Sequence, residues 1–362
     1  MDGTHLAHWR MGNLRLSGDP LQAPEDVVGW LGAVQSQDYG PATWSIGQRA
    51  SGVDAAAVER AFADGTIVRT HVLRPTWHFV LPADIRWMLE LTGPRVHALN
   101  AYHYRQLGLD DSILQRCRTL LVGALQGGNQ LTRKELAAML EGAGIATKGF
   151  RLAYIMMSAE LDGVVCSGTP DGRQHTYALL DERTPQASRL SRDEALALLV
   201  IRYFTSHGPA TAKDLRWWSS LTMAEVNKGI EMVAPRLERA VVDGLTYWFA
   251  PTARPAKAPS PTVHLLQGYD EYLVGYSETK YLLDLSGMAR SAPQDRQVAN
   301  GVTILDSQVA GRWKRTINKD SVALEVALHA ALDDPQERAL RAAADQHAAF
   351  LGRTATVATT RL

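Results

Sequence analysis

Gln35-Ser36-Gln37-Asp38 places two amide side chains one residue apart, directly after the apolar positions Val27, Leu31 and Val34. Glutamine does not titrate, but its carbonyl accepts and its amide donates, so a pair can orient one water and aim dipoles at a developing positive charge. The alternative is that both amides cap the end of a helix. A second group, His71, Arg74 and His78, surrounds Arg74-Pro75 and suits either contact with an anionic partner or packing of a hairpin. Trp77, between them, reads as core of a half-buried strand. Asp270 and Glu271 are adjacent carboxylates of the kind that do acid–base work, yet they read here as structural.

What is missing narrows the chemistry. The chain has no GxxxxGK[ST] phosphate loop, no GxGxxG after a strand, no HExxH and no GxSxG. No lysine stands beside the two glutamines, which disfavours a Schiff-base mechanism. The 11 histidines are scattered, and only the spacing of His71 and His78 raises the question of a metal. Packing or a partner contact explains that pair better, so neither metal nor diffusible cofactor is expected.

The elements that must position these residues repeat an order, although the residues differ. Thr132-Arg133-Lys134-Glu135 is a capping box, in which the Thr oxygen and the Glu carboxylate each satisfy a free helix N–H. Leu136, Met139 and Leu140 form the apolar face behind it, a second helix covers about residues 149–161, and two strands flank Pro170-Asp171-Gly172. The order returns from the capping box Ser191-Arg192-Asp193-Glu194, through short helices opened by Thr211 and Thr222, to a hairpin turning at Asp243-Gly244. A weaker version has a helix starting near Pro24, an Asp54-capped helix to Ala63, and two strand-like runs between Thr66 and Val80.

Helix, helix, hairpin is the winged-helix order, which points to nucleic acid. Residues 251–261, rich in proline, read as a linker or an extended crossing. Beyond it, 263–285 and 302–315 alternate like strands of a small barrel, 287–301 reads as a long loop or hairpin tip, and 335–351 as a closing helix. The expected fold class is therefore α+β and mainly helical, with tandem winged-helix (helix-turn-helix) units and a C-terminal β-barrel-like module. Its segments are 1–108 with the two glutamines, 109–186, 187–255 and 262–362. Lys148 and Arg151, near the start of a presumptive recognition helix, suit phosphate contacts or a plain solvated helix end. Arg290 and Arg296 sit in that 287–301 loop or hairpin tip.

Composition sets the bounds. With 362 residues, 46% hydrophobic and 21% charged, the chain can form several globular cores. It has no basic, apolar leader and no run of about 18 uncharged apolar residues. Cys117 and Cys166 lack CxxC spacing, which fits a reducing cytoplasm. The 38 basic and 38 acidic residues cancel, so binding to DNA must rest on local geometry and not on bulk charge.

Five segments occur in one order: Gln35-Ser36-Gln37; Arg69-Thr-His-Val-Leu-Arg-Pro-Thr-Trp-His-Phe-Val80; Gly208-Pro-Ala-Thr211 with Trp217-Trp218; Tyr269-Asp-Glu-Tyr272; and Val309-Ala-Gly-Arg-Trp-Lys-Arg315. Together they resemble the AlkZ/YcaQ family of winged-helix DNA glycosylases, from about Leu14 to Leu351. The resemblance implies tandem winged helices curved around DNA, a C-terminal barrel-like module with a hairpin that reaches the duplex, where Arg290 and Arg296 would contact DNA unless they lie on a plain surface loop, and a catalytic Gln-aliphatic-Gln or Gln-aliphatic-Asp motif, matched here by Gln35 and Gln37. Ser36 departs from the aliphatic residue usual between them. The Gln-x-Gln branch implies excision of bulky N7-alkylpurines and unhooking of interstrand crosslinks by a monomer acting on double-stranded DNA, without a membrane. Two other readings share the same repeats: a non-catalytic winged-helix DNA-binding regulator, and a protein-interaction scaffold.

Overall fold

The computed structural model describes residues 2–172, 174–185, 189–251, 260–288 and 301–362. Most of the proposed linker, together with Arg290 and Arg296, lies outside the described residues. The fold is α+β.

Three stretches share one order of elements. In the first, helix Pro24–Leu31 leads to β1 (Val34–Gln35), helices Tyr39–Gly47 and Ala55–Ala63, and the hairpin of β2 (Val68–His71) and β3 (Trp77–Val80). In the second, helix Asp111–Leu125 leads to β4 (Leu131–Thr132), helices Arg133–Gly142 and Arg151–Leu161, then β5 (Val165–Ser167) and β6 (Thr176–Leu179). Each makes a three-stranded sheet with the last strand central, in the orders β1-β3-β2 and β4-β6-β5. The third runs from helix Arg192–Ser206 through Ala212–Ser219 and Met223–Val233 to β7 (Glu238–Val242) and β8 (Leu245–Phe249), and a single bridge, Ala210 to Trp248, stands where the short strand lies in the others. The capping boxes at Thr132, Ser191, Thr211 and Thr222 all form, because each needs only residues three apart.

The C-terminal segment departs from the expected barrel. It is an open five-stranded sheet ordered β13-β12-β11-β10-β9, and no closed barrel occurs among the described residues. Only β9 (Val263–Leu266) comes from 263–285; Asp270 caps a helical turn, Glu271–Val274, and a 3-10 turn follows at Lys280–Leu283. That segment therefore supplies one strand and nothing to close the sheet. After it come β10 (Gly301–Leu305), β11 (Gln308–Ile317) and β12 (Ser321–Leu328), and helix Asp334–Phe350 then crosses over to β13 (Thr354–Arg361), which pairs parallel to β12.

Buried side chains define what is joined. Val27, Leu31 and Val34 share one core with Leu196, Leu199 and Trp218 of the third stretch and with Leu266 and Tyr272 of the C-terminal segment. The second stretch has a core of its own, from Tyr104 to Leu179. Each fully buried leucine or valine contributes about 1.5–3 kcal/mol, so the first core fixes β1 against elements more than 150 residues away. The strand that carries Gln35 thus sits at a junction.

Candidate active site

Helix Pro24–Leu31 stops at Gly32, whose φ of +79° suits glycine, and the chain enters β1 instead of carrying the glutamines on a helix end. Gln35 pairs with His78 of β3. Its backbone N–H donates to Glu271 Oε1 at 2.9 Å, and its own Oε1 accepts from Arg74 Nη2 at 2.6 Å. Buried Leu73, with φ +64°, precedes Arg74 in the β2–β3 loop, and Arg74 is itself buried. It also donates to the Trp218 carbonyl at 3.3 Å and lies 3.5 Å from His78 Nε2.

Glu271 is fully buried and holds this group together. Its Oε2 accepts from Trp218 Nε1 at 2.9 Å and lies 3.3 Å from His207 Nε2. Burial opposes its charge, but His207, Arg74 and His78 around it bring the carboxyl down to about 2. Burial lowers the Arg74 pKa, and the Glu271 charge resists that lowering. Asp270, its neighbour, is structural: both oxygens take Arg49, at 2.7 and 2.8 Å.

Ser36 is fully buried and polar for a visible reason. Its carbonyl accepts from Arg69 Nη2 at 2.9 Å and Nε at 3.1 Å, and its Oγ accepts from Nε at 3.2 Å. A Ser36→Ile substitution, which restores an aliphatic residue, overfills this site and removes one acceptor from a buried guanidinium. Stability should drop by about 1–3 kcal/mol, read as a lower urea midpoint. An unchanged midpoint would mean that the space under the motif already suits a larger side chain.

Gln37 differs from Gln35 in being exposed. Its Oε1 accepts the Trp77 backbone N–H at 3.3 Å, which leaves the amide NH2 and a second lone pair free to meet solvent or substrate. Trp77, only half-buried, is fixed by a second carboxylate: its Nε1 donates to Glu160 Oε1 at 3.0 Å. Glu160 Oε2 lies 2.5 Å from His71 Nδ1, and the His71 and Trp77 rings are 4.3 Å apart. The Arg69 guanidinium sits 4.6 Å from the Trp77 ring. One buried carboxylate therefore clamps Gln35, and another clamps the residue that orients Gln37.

The other expected contacts separate. His71, Arg74 and His78 are 3%, 8% and 0% exposed, so they support the glutamine strand and present no surface to DNA. Arg151 is occupied as well: it donates to Ala146 O at 2.8 Å, Gly108 O at 3.2 Å and Leu107 O, tying its helix to a neighbouring turn. Lys148 remains exposed just before that helix. Among the described residues, no three of His, Cys, Asp and Glu converge to hold a metal ion. Glu160 and His207 were not singled out by sequence; Glu271 was weighed as one of two adjacent carboxylates and read as structural, and Arg69 and Trp218 stood in the ordered segments without a role.

Burial also keeps histidines neutral. His78 and His347 are held near 3 against an ordinary 6.5, mainly by burial and then by Arg74 and Arg315 respectively. Their neutral forms are matched in folded and unfolded chains above pH 6.5. Below it the unfolded chain takes up protons first, so stability falls by about 1.4 kcal/mol per pH unit per histidine until pH approaches 3. The thermal midpoint should drop between pH 6.5 and 5, and a flat profile there would contradict the burial.

An interstrand DNA cross-link repair glycosylase of Streptomyces sahachiroi is 27% identical over 326 residues, covering 84% of this chain and 86% of that protein. The solved structure of Streptomyces sahachiroi DNA glycosylase AlkZ shares the fold, with a TM-score of 0.82 at 23% identity and full coverage of both chains. The family model for DNA glycosylase AlkZ-like proteins matches residues 28–350. The chain belongs to the AlkZ-like family of DNA glycosylases.

Proposed function

We propose that this DNA glycosylase is monofunctional and hydrolyses the N-glycosidic bond of cationic N7-alkylpurines in duplex DNA, with Gln37 and Gln35 as its catalytic pair. The observation that carries this reading is the state of the two amides. Gln37 is exposed and oriented by the Trp77 N–H, while Gln35 is buried with its carbonyl on Arg74. Both nearby buried carboxylates, Glu271 and Glu160, are occupied by protein donors. With both buried carboxylates engaged, neither is free to protonate a leaving base, which suits a leaving group that needs no protonation. An N7-alkylated guanine already carries positive charge and departs as a neutral base, so the protein has to stabilise an oxocarbenium-like sugar and hold water. Gln37 Oε1 directs that water; Gln35, through its hydrogen bonds, fixes the strand from which Gln37 projects.

The name of the 27%-identical relative extends the proposal to interstrand crosslinks; we add bulky N7 adducts, and a role in general repair or in self-resistance to a DNA-alkylating natural product, as part of the same reading. The repeated order of helix, short strand, two helices and hairpin supports reading residues 1–108, 109–186 and 187–255 as winged-helix units that hold one stretch of duplex, with 262–362 as a further module. We place the enzyme in the cytoplasm, as a monomer at the nucleoid. The test is to incubate it with duplex containing N7-methylguanine or a bulky N7 adduct, and to measure released base and alkali-labile sites. Release from the cationic lesion, with none from unmodified guanine, is the expected result. Sequence-specific binding without release would favour a regulator and overturn the substrate reading.

A further inference from the structure

A cleft of about 250 Å³ lies between helix Tyr39–Gly47 and the C-terminal sheet, one residue beyond Gln37. Asp38 and Trp44 line one side, Trp313, Lys314 and Arg315 the other, with Tyr269 between. Asp38 occupies the N-cap position of its helix in extended conformation, yet its carboxylate makes no capping bond. At the same position Asp2, Asp54, Asp110 and Asp333 each accept a backbone N–H. The Asp38 carboxylate has no hydrogen-bond or ion-pair partner among the described residues.

The walls are fixed. Trp44 and Trp313 donate their indole N–H groups to the consecutive carbonyls of Leu265 and Leu266, at 2.7 and 2.8 Å. Arg315 lies 3.1 Å from Nε2 of buried His347, which its low pKa keeps neutral and able to accept. Burial lowers the Arg315 pKa, and the negative field of Asp38 opposes that lowering. Lys314, on the same strand, is exposed and paired with Glu325 at 2.9 Å.

An open carboxylate beside Gln37 is unfavourable for an enzyme that handles DNA, because it repels phosphates. It becomes favourable if it meets a cation, and the N7-alkylated purine is the one cationic part of the damaged duplex. We propose that this cleft receives the damaged nucleotide, with the purinium ring against Asp38 and a flanking phosphate against Arg315. The volume is below the roughly 300 Å³ at which sites for drug-sized ligands begin, so it admits a ring system while a bulky N7 substituent projects outward. This assignment rests on the glycosylase reading given above and adds Asp38 as the group that distinguishes damaged from normal guanine.

The probe is 7-methylguanosine 5′-monophosphate against guanosine 5′-monophosphate, bound by a Gln37→Ala chain so that no hydrolysis interferes. Tryptophan fluorescence titration should give at least about tenfold tighter binding of the methylated nucleotide, the size expected for a hydrogen-bonded charge pair. Adding Asp38→Asn, which keeps a good N-cap residue, should bring that ratio close to one, and Arg315→Gln should weaken both nucleotides alike. Equal binding of the two nucleotides, or a ratio unmoved by Asp38→Asn, overturns the proposal. The single variant Asp38→Asn separates the two readings on duplex DNA. If it excises N7-methylguanine with wild-type kcat/KM, the cleft assignment fails and the glycosylase reading stands; if the wild-type chain releases nothing, the underlying reading fails.

Discussion

Gln37→Ala is expected to lower the rate of base release by about 10²–10³ while leaving affinity for undamaged duplex within twofold. The argument rests on how little else Gln37 does. It is exposed, and its protein hydrogen bond is the one accepted from the Trp77 N–H. Alanine leaves that N–H to water, so stability should change by no more than about 0.5 kcal/mol. Gln35→Ala differs in kind: it strands a buried Arg74 donor now 2.6 Å from the Gln35 carbonyl, and should cost about 1–3 kcal/mol of stability in addition to activity. Single-turnover rates, duplex Kd and thermal midpoints for both variants separate the roles. An equal loss of binding and rate in Gln37→Ala would assign that residue to DNA docking and remove it from the chemistry.

The features legible in the sequence were the local ones. Capping boxes need residues three apart, and the hairpin turns at Asp171-Gly172 and Asp243-Gly244 need neighbours, so the three repeated stretches could be traced before any contact was known. The two glutamines were visible because an unusual pair of amides follows an apolar run. Their surroundings were not: Glu271 reaches Gln35 across 236 residues and Glu160 reaches His71 across 89. Composition gives no sign of which carboxylate will be fully buried, and a His-Arg-His cluster near a hairpin looks equally suited to solvent and to core. The barrel-like reading of the C-terminal segment finds no closed barrel among the described residues, for a related reason. Alternation in 263–285 suggested strands, but Asp270 caps a turn there, and β13 joins β12 only through the crossover helix.

Those distant contacts explain why the largest effect outside the amide pair should come from Glu271. Replacing it with glutamine keeps the shape but cannot satisfy both donors. If the new amide oxygen takes the Gln35 N–H, its NH2 faces the Trp218 indole N–H; if it flips, the NH2 faces Gln35. Arg74 also loses the negative charge that offsets its burial. Stability should fall by roughly 2–4 kcal/mol. Because the Gln35 backbone is then held from one side fewer, kcat should drop by at least about tenfold, with duplex Kd unchanged since Glu271 itself is fully buried. The pH dependence identifies the charge as the cause. With its carboxyl brought from 4.5 to about 2 in the folded chain, Glu271 contributes fully above pH 4.5 and loses that contribution as pH falls toward 2. The stability gap between wild type and Glu271→Gln should therefore be constant from pH 7 to about 5 and narrow below 4.5. A gap that stays constant down to the acid limit would point to packing rather than charge. An unchanged kcat, measured where both proteins are folded, would show that the amide strand keeps its geometry without this carboxylate.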